Sequence, residues 1–168
     1  YPLIAITEAI DKLVVTKNYA RPDFYYMGPD QYDAAILGEH GITFVYCPSG
    51  KMRRYFSFKN FLDVFKVIAG FFVALYKLYV LYPDVIMSKG SFTSVPIVLA
   101  AWFYRIPIVV HESDAKPGRA NALGARFARY VATSYAEAAE FFDAKKVAFT
   151  GMPLRAELFS KVPPGPLS

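Results

Sequence analysis

The run Pro107-Ile108-Val109-Val110-His111 constrains the fold more than any other stretch of the chain. Its unbroken Ile-Val-Val core does not alternate toward water, which is the pattern of a parallel strand covered on both faces. Parallel strands must be joined by long crossovers, usually helices, and the chain supplies them. Helical patterns are read from Pro2 to about Val14, after Gly28-Pro29 through Leu37, from Lys59 to Leu81, from Ser94 to Tyr104 and from Pro117 to Ala128. Extended patterns fall between them at Asp23 to Met27, Ile42 to Tyr46, Asp84 to Met87, Tyr130 to Thr133 and Lys146 to Thr150. Gly38 and Gly41 supply stop signals, and Ser134 with Glu137 forms a capping-box pair for one further short helix. This alternation over short loops predicts an α/β fold, a doubly wound open parallel sheet. In such a sheet ligands lie beyond the carboxyl ends of the strands.

Composition narrows the partners. A chain of 168 residues, 55% hydrophobic, builds one cored domain and is not a disordered linker. The single cysteine, Cys47, forms no internal disulfide and reads as a small residue at a strand end. Two histidines and one cysteine argue against a zinc site, and no metal or cofactor is expected. A net charge of +5 suits an anionic partner: nucleic acid, anionic lipid or a phosphorylated substrate. Ordinary solubility charge is the competing reading. The apolar run Val67 to Tyr76, bracketed by Lys66 and Lys77, is about half the ~20 residues that cross a bilayer and reads as part of a buried helix. The opening Tyr1-Pro2 lacks a Met, so a natural start upstream is expected, and Pro163-Pro164-Gly165-Pro166 reads as a linker.

Three segments carry chemistry. Ser88-Lys89-Gly90-Ser91-Phe92-Thr93-Ser94 joins a strand to a helix, where glycine and a helix start suit a phosphate or diphosphate; a plain turn with Ser94 as N-cap is the alternative. His111-Glu112-Ser113-Asp114-Ala115-Lys116-Pro117-Gly118-Arg119-Ala120-Asn121 is a polar loop opening from an apolar strand, a place for ligand contact. There Glu112 or Asp114 is placed to hold a sugar hydroxyl, Asn121 to reach the same site, and His111 reads as structural, bonded to a backbone carbonyl. Lys51-Met52-Arg53-Arg54-Tyr55-Phe56-Ser57-Phe58-Lys59 interleaves cations with large apolar groups, as a membrane-surface segment requires. Nucleic acid and a packed loop are its rivals; Trp102 with Phe103 and Tyr104 is a candidate extension of the patch.

Taken together these segments resemble the N-terminal domain of the MurG family of glycosyltransferases. The resemblance is carried by Gly50-Lys51-Met52-Arg53-Arg54-Tyr55, by Ser88-Lys89-Gly90-Ser91-Phe92-Thr93-Ser94-Val95-Pro96, by His111, Glu112, Pro117, Gly118, Ala120 and Asn121, and by Thr150-Gly151-Met152-Pro153-Leu154-Arg155. Ser91 replaces the family's second glycine, and Met152 stands where the family has asparagine. The resemblance implies a Rossmann-like sheet forming the N-terminal half of a GT-B enzyme, with residues 1–160 an incomplete acceptor-binding domain and 161–168 a linker or the start of a donor domain. It implies inverting transfer of N-acetylglucosamine from UDP-N-acetylglucosamine to undecaprenyl-diphosphate-linked N-acetylmuramyl-pentapeptide in peptidoglycan synthesis.

By the same resemblance Gly90, Ser91, Phe92, Ser94, Glu112, Asp114 and Asn121 serve the acceptor or its diphosphate, and Arg155 serves the donor. Lys51, Met52, Arg53, Arg54, Tyr55, Phe56, Phe58 and Trp102 meet an anionic membrane surface, at the cytoplasmic face of a bacterial plasma membrane, with no nucleic-acid partner. The family's general base, a histidine in a Gly-Gly-Thr-Gly-Gly-His loop after a first strand, is expected before Tyr1. No catalytic residue then falls within these residues, and the polypeptide alone is expected to be an inactive fragment. Two alternatives stand: a non-catalytic membrane-anchoring subunit of a split lipid-linked-sugar transferase, and a related enzyme that glycosylates diacylglycerol.

Overall fold

The computed structural model describes residues 2–31, 33–49 and 58–154, with 58–64 described by backbone alone. In chain order the elements are α1 (Pro2–Lys17), β1 (Phe24–Gly28), α2 (Ala34–Glu39), β2 (Ile42–Tyr46), α3 (Phe58–Leu81), β3 (Ile86–Ser88), a 3-10 turn (Phe92–Ser94), α4 (Val95–Phe103), β4 (Ile108–Glu112), α5 (Arg119–Phe127), β5 (Tyr130–Thr133), α6 (Ala136–Ala139) and β6 (Val147–Phe149). The segment 50–57, Arg155 and the proline-rich end lie outside the described residues, and so do the expectations placed on them.

The described residues form two compact units. The larger contains a four-stranded parallel sheet in the order β3-β4-β5-β6. Val110 stands at its centre, opposite Ser88 of β3 and Val131 of β5, and is fully buried. The β4 run therefore does what its composition predicts: Ile108 and Val110 meet α4 and α5, and no residue of the strand is exposed. α4 contributes Ile97, Val98, Ala100 and Ala101 to this core, and α3 contributes Ala74 and Leu78. Pro96 sits in the first turn of α4, where a missing N–H costs nothing and a fixed φ favours the helix.

α3 is the element the sequence reading mistook in part. Gly70, Ala74 and Leu78 recur every four residues and are buried, but Phe72, Tyr76 and Tyr79 on the other side are 64%, 65% and 69% exposed. The helix is buried along a stripe, not all round: Gly70, Ala74 and Leu78 face inward and Phe71 packs beside the core, while Phe72, Tyr76 and Tyr79 face water. No helix among the described residues is long and apolar enough to cross a membrane. Gly70 is small for a spatial reason: a Cβ there would lie 2.0 Å from the carbonyl oxygen of Pro48.

Cys47 follows β2 as expected and is buried, its N–H bonded to the Gly28 carbonyl at 2.9 Å. Its Sγ lies 3.5 Å from the Gly70 carbonyl oxygen. Burial pushes the thiol pKa up to about 11. Since the thiolate is the nucleophile, the folded chain is expected to resist iodoacetamide at pH 8 and to react at Cys47 once urea unfolds it. Mass spectrometry of the two samples checks this; equal alkylation in both would contradict the burial.

The smaller unit holds α1, α2 and most of β1 and β2, which pair with each other. Ile4, Ala5 and Thr7 are its buried residues on α1, and Thr7 Oγ1 donates back to the Leu3 carbonyl at 3.1 Å. Arg21 grips Asp11 through Nε and Nη2 at 3.2 and 3.3 Å. α2 begins later than the Gly28-Pro29 signal suggests. Asp33 is its N-cap, accepting from the N–H groups of Ala35 and Ile36, and Gly38 lies inside the helix while Gly41 follows its end.

Candidate functional site

The polar loop predicted after β4 is organised by Glu112. Its carboxylate is 2% exposed and accepts three N–H groups: Asp114 N on Oε1 at 3.0 Å, and Gly118 N and Asn121 Nδ2 on Oε2 at 3.1 and 2.8 Å. A buried carboxylate requires such donors, because an unpaired one is expelled by desolvation. The sequence reading gave Glu112 to a sugar hydroxyl; in the structure its immediate partners are the loop's own amides. Both ends of the loop and the first turn of α5 are thereby fixed to the end of β4. Asp114, by contrast, points its side chain into an exposed position.

Asn121 occupies the place predicted for it, one turn into α5 and 4% exposed. Its Nδ2 is committed to Glu112, with the His111 carbonyl 3.5 Å away, while Oδ1 is buried without a hydrogen-bond partner. Gly90 lies against this amide. A Cβ at Gly90 would fall 1.8 Å from Asn121 Oδ1, and Gly90 also has φ +73°, a conformation other residues reach only with strain. The turn after β3 and the loop after β4 thus meet through Gly90 and Asn121.

The N–H groups expected to cradle an anion around Gly90 are engaged internally. Gly90 N donates to Ser88 Oγ at 3.3 Å, Ser91 N to Ser94 Oγ at 3.3 Å and Thr93 N to Ser91 Oγ at 3.4 Å. Ser91, in place of a second glycine, is the N-cap of the 3-10 turn and forms a reciprocal capping box with Ser94. Ser94 precedes α4 but makes no side-chain cap to it. All three bonds are long, so an anion has only weak acceptors to displace. Phe92 is half-buried at the start of the turn.

On the other side of β4, His111 is 2% exposed. Its Nδ1 lies 3.5 Å from Ser113 Oγ, which also accepts a hydrogen bond from Lys89 Nζ. Burial, followed by the positive charge of Lys89, holds the His111 pKa below its ordinary value; the Gly151 backbone and Glu112 pull the other way. Nε2 has no partner within hydrogen-bond geometry. The ring makes no backbone hydrogen bond of good geometry, but the Gly151 backbone bears on it as an acceptor, in line with the structural histidine expected. Burial also lowers the Lys89 pKa, opposed by the charges of Glu112 and Asp114.

The end of β5 completes the cluster. Thr133 pairs in register with Glu112, and its carbonyl accepts from Thr150 N and Gly151 N at 3.0 and 3.2 Å. Ser134 is not a helix cap: α6 starts after Tyr135 without a side-chain cap, and Ser134 is buried with its N–H on the Glu112 carbonyl at 2.9 Å. Thr133 Oγ1 and Ser134 Oγ are buried without partners. Sequence reasoning passed over Lys89, Ser113 and Thr133 as site residues. The register of β3 with β4, which aligns Ser88 with Val110, places Lys89 beside His111, a relation no stretch of sequence carries by itself. Among the described residues no cluster of three or more His, Cys, Asp or Glu side chains is disposed to hold a metal ion. Trp102 lies on α4, 56% exposed, with its ring 5.3 Å from that of Phe127.

A parallel sheet whose strand ends carry this polar cluster defines a class, and the comparisons give it a family. Residues 1–133 match the glycosyltransferase family 28 N-terminal domain, and the chain belongs to that family. It is similar to the UDP-N-acetylglucosamine–N-acetylmuramyl-(pentapeptide) pyrophosphoryl-undecaprenol N-acetylglucosamine transferase 2 of Bacillus cereus, with 42% identity over 81% of this chain and 39% of the relative. The corresponding transferase of Treponema denticola is 46% identical over 73% of this chain and 32% of the relative. The chain therefore spans about two fifths or less of the length of these relatives. In fold it is similar to Acinetobacter baumannii MurG, with a TM-score of 0.68 at 20% identity, covering 94% of this chain and 42% of that one. A UDP-GlcNAc 2-epimerase from Neisseria meningitidis shares the fold at a TM-score of 0.59 and 17% identity, over 91% of this chain and 45% of that one.

Proposed function

We propose that this chain is the acceptor-side part of an inverting N-acetylglucosaminyltransferase that converts undecaprenyl-diphosphate-linked N-acetylmuramyl-pentapeptide to its disaccharide in peptidoglycan synthesis. UDP-N-acetylglucosamine is the donor, bound chiefly by residues outside this chain, and residues 1–160 form the acceptor domain. The observation that carries the reading is the Glu112-centred loop. It joins the turn at Gly90 to the first turn of α5 and gathers buried polar atoms of Asn121, Thr133 and Ser134 at the strand ends. The similarity to the Bacillus and Treponema transferases supports this choice of substrates. The test is an assay of the protein with its flanking coding sequence, using labelled UDP-N-acetylglucosamine and the lipid-linked acceptor. Labelled lipid disaccharide is the expected product. Recruitment of a separate transferase to membranes without intrinsic transfer would instead support an anchoring subunit.

The membrane is the second part of this reading: the protein is peripheral, on the cytoplasmic face, with Trp102 and the basic aromatic segment 51–58 against anionic lipid. Trp102 is the only tryptophan and is exposed, so it reports directly. Vesicles containing anionic phospholipid should shift its emission to the blue, and the shift should shrink as salt rises. Unchanged emission at saturating lipid removes Trp102 from the membrane surface.

A further inference from the structure

We propose that Lys89 and Ser113 are positioning residues that hold His111 as its neutral Nε2–H tautomer, making the imidazole a hydrogen-bond donor to a substrate oxygen and not a proton acceptor. The argument is one of donor counting. An ammonium donates and cannot accept, so Ser113 Oγ must offer Lys89 a lone pair. Oγ has a second lone pair, but the ammonium beside it disfavours a further N–H pointing at it, so the hydroxyl proton of Ser113 goes to its other neighbour, Nδ1 of His111. Nδ1 thereby becomes the acceptor, and in a neutral ring the remaining proton resides on Nε2. Nε2 is buried and makes no hydrogen bond of good geometry within the protein, the Gly151 backbone being the acceptor that most favours a proton on the ring, so its N–H is open to a better-placed acceptor.

The surroundings oppose the charged ring. His111 is buried at the carboxyl end of β4, and Lys89 reaches it from the turn after β3 with a like charge. Glu112 on the same strand and the Gly151 backbone beyond β6 favour protonation, but less than burial and Lys89 oppose it. Glu112 and Asp114 also bear on Lys89, their charges favouring its ammonium and opposing the lowering that burial causes. For the sugar transfer proposed above, on which the word substrate here rests, this leaves the acceptor hydroxyl's proton to a base other than His111. What His111 offers is an N–H fixed in direction, of the kind that binds a phosphate or hydroxyl oxygen.

The tautomer is measurable in this chain without any activity, so a failure here is separate from a failure of the transferase reading. The chain has two histidines, and a His40→Gln variant leaves His111 as the single reporter. Two-bond proton–nitrogen correlation spectra of the histidine-labelled protein at pH 7 should show a protonated Nε2 and an unprotonated Nδ1. Ser113→Ala should convert that single form to a mixture of tautomers. Lys89→Met should do the same and raise the pH at which His111 titrates, while Lys89→Arg should keep the original pattern. An Nδ1–H tautomer or an imidazolium at pH 7 overturns the proposal. So does a tautomer unmoved by Ser113→Ala, since a merely structural histidine would not respond to that hydroxyl.

Discussion

Gly90→Ala is expected to destabilise the chain by about 3 kcal/mol. Two costs add. An alanine held at φ +73° pays about 1–2 kcal/mol for the left-handed conformation. Its Cβ would also fall 1.8 Å from Asn121 Oδ1, a separation at which something must move. Overpacking of this kind typically costs about 1–3 kcal/mol. Asn121 cannot retreat freely, because its Nδ2 is bonded to Glu112 at 2.8 Å and the side chain is buried. Urea unfolding followed by circular dichroism would read the effect as a lower midpoint at unchanged slope. A midpoint within experimental error of the parent would mean that the turn and α5 are not in contact in solution.

Glu112→Ala should cost a similar amount, about 3 kcal/mol, through a different route. Removing the carboxylate strands the N–H groups of Asp114 and Gly118 and the amide of Asn121, each of which had its acceptor there. Stranded buried donors cost about 1–3 kcal/mol apiece, less where the loop opens to water. Glu112→Gln should fall between the parent and the alanine variant, costing about 1–2 kcal/mol, since one carboxamide oxygen still accepts while its NH2 faces a donor. Hydrogen exchange at Asp114 and Gly118 gives a second readout. Both amides should exchange faster in the alanine variant, and parent-like protection there would show that Glu112 is not their acceptor.

How much of this was legible in the sequence divides along the range of the interaction. The β4 strand was readable because Ile108, Val109 and Val110 carry their environment in their own chemistry, and with the alternating helices it pointed to a parallel sheet, though not to the order of its strands. The loop after β4 was readable as polar and placed, but not the task of Glu112. Its partners are spread from Asp114 to Asn121, and whether a carboxylate turns inward to amides or outward to ligand is decided by the fold. The Ser134-Glu137 pattern misled because capping requires the N-cap residue to aim its side chain at the first-turn N–H groups, and Tyr135 holds that position while Ser134 is buried one residue earlier against the end of β4. α3 misled because apolar content does not distinguish a buried stripe from an exposed aromatic one. The relation of Lys89 to His111 was hidden for a simpler reason: it exists only across two neighbouring strands.

The seating of Gly90 on Asn121 also bears on how such a sequence can change over generations. The two positions are one locus in mutational terms, although a helix and a strand separate them along the chain. Gly90→Asn suits a left-handed backbone better than most replacements, yet it meets the same amide oxygen unless position 121 has already become small. Asn121→Gly in turn surrenders a bond to Glu112. The order of the two steps therefore matters, and the path through Asn121 first loses a hydrogen bond while the path through Gly90 first meets a collision. Their effects should be strongly non-additive, a form of epistasis that confines drift at this turn to paired substitutions.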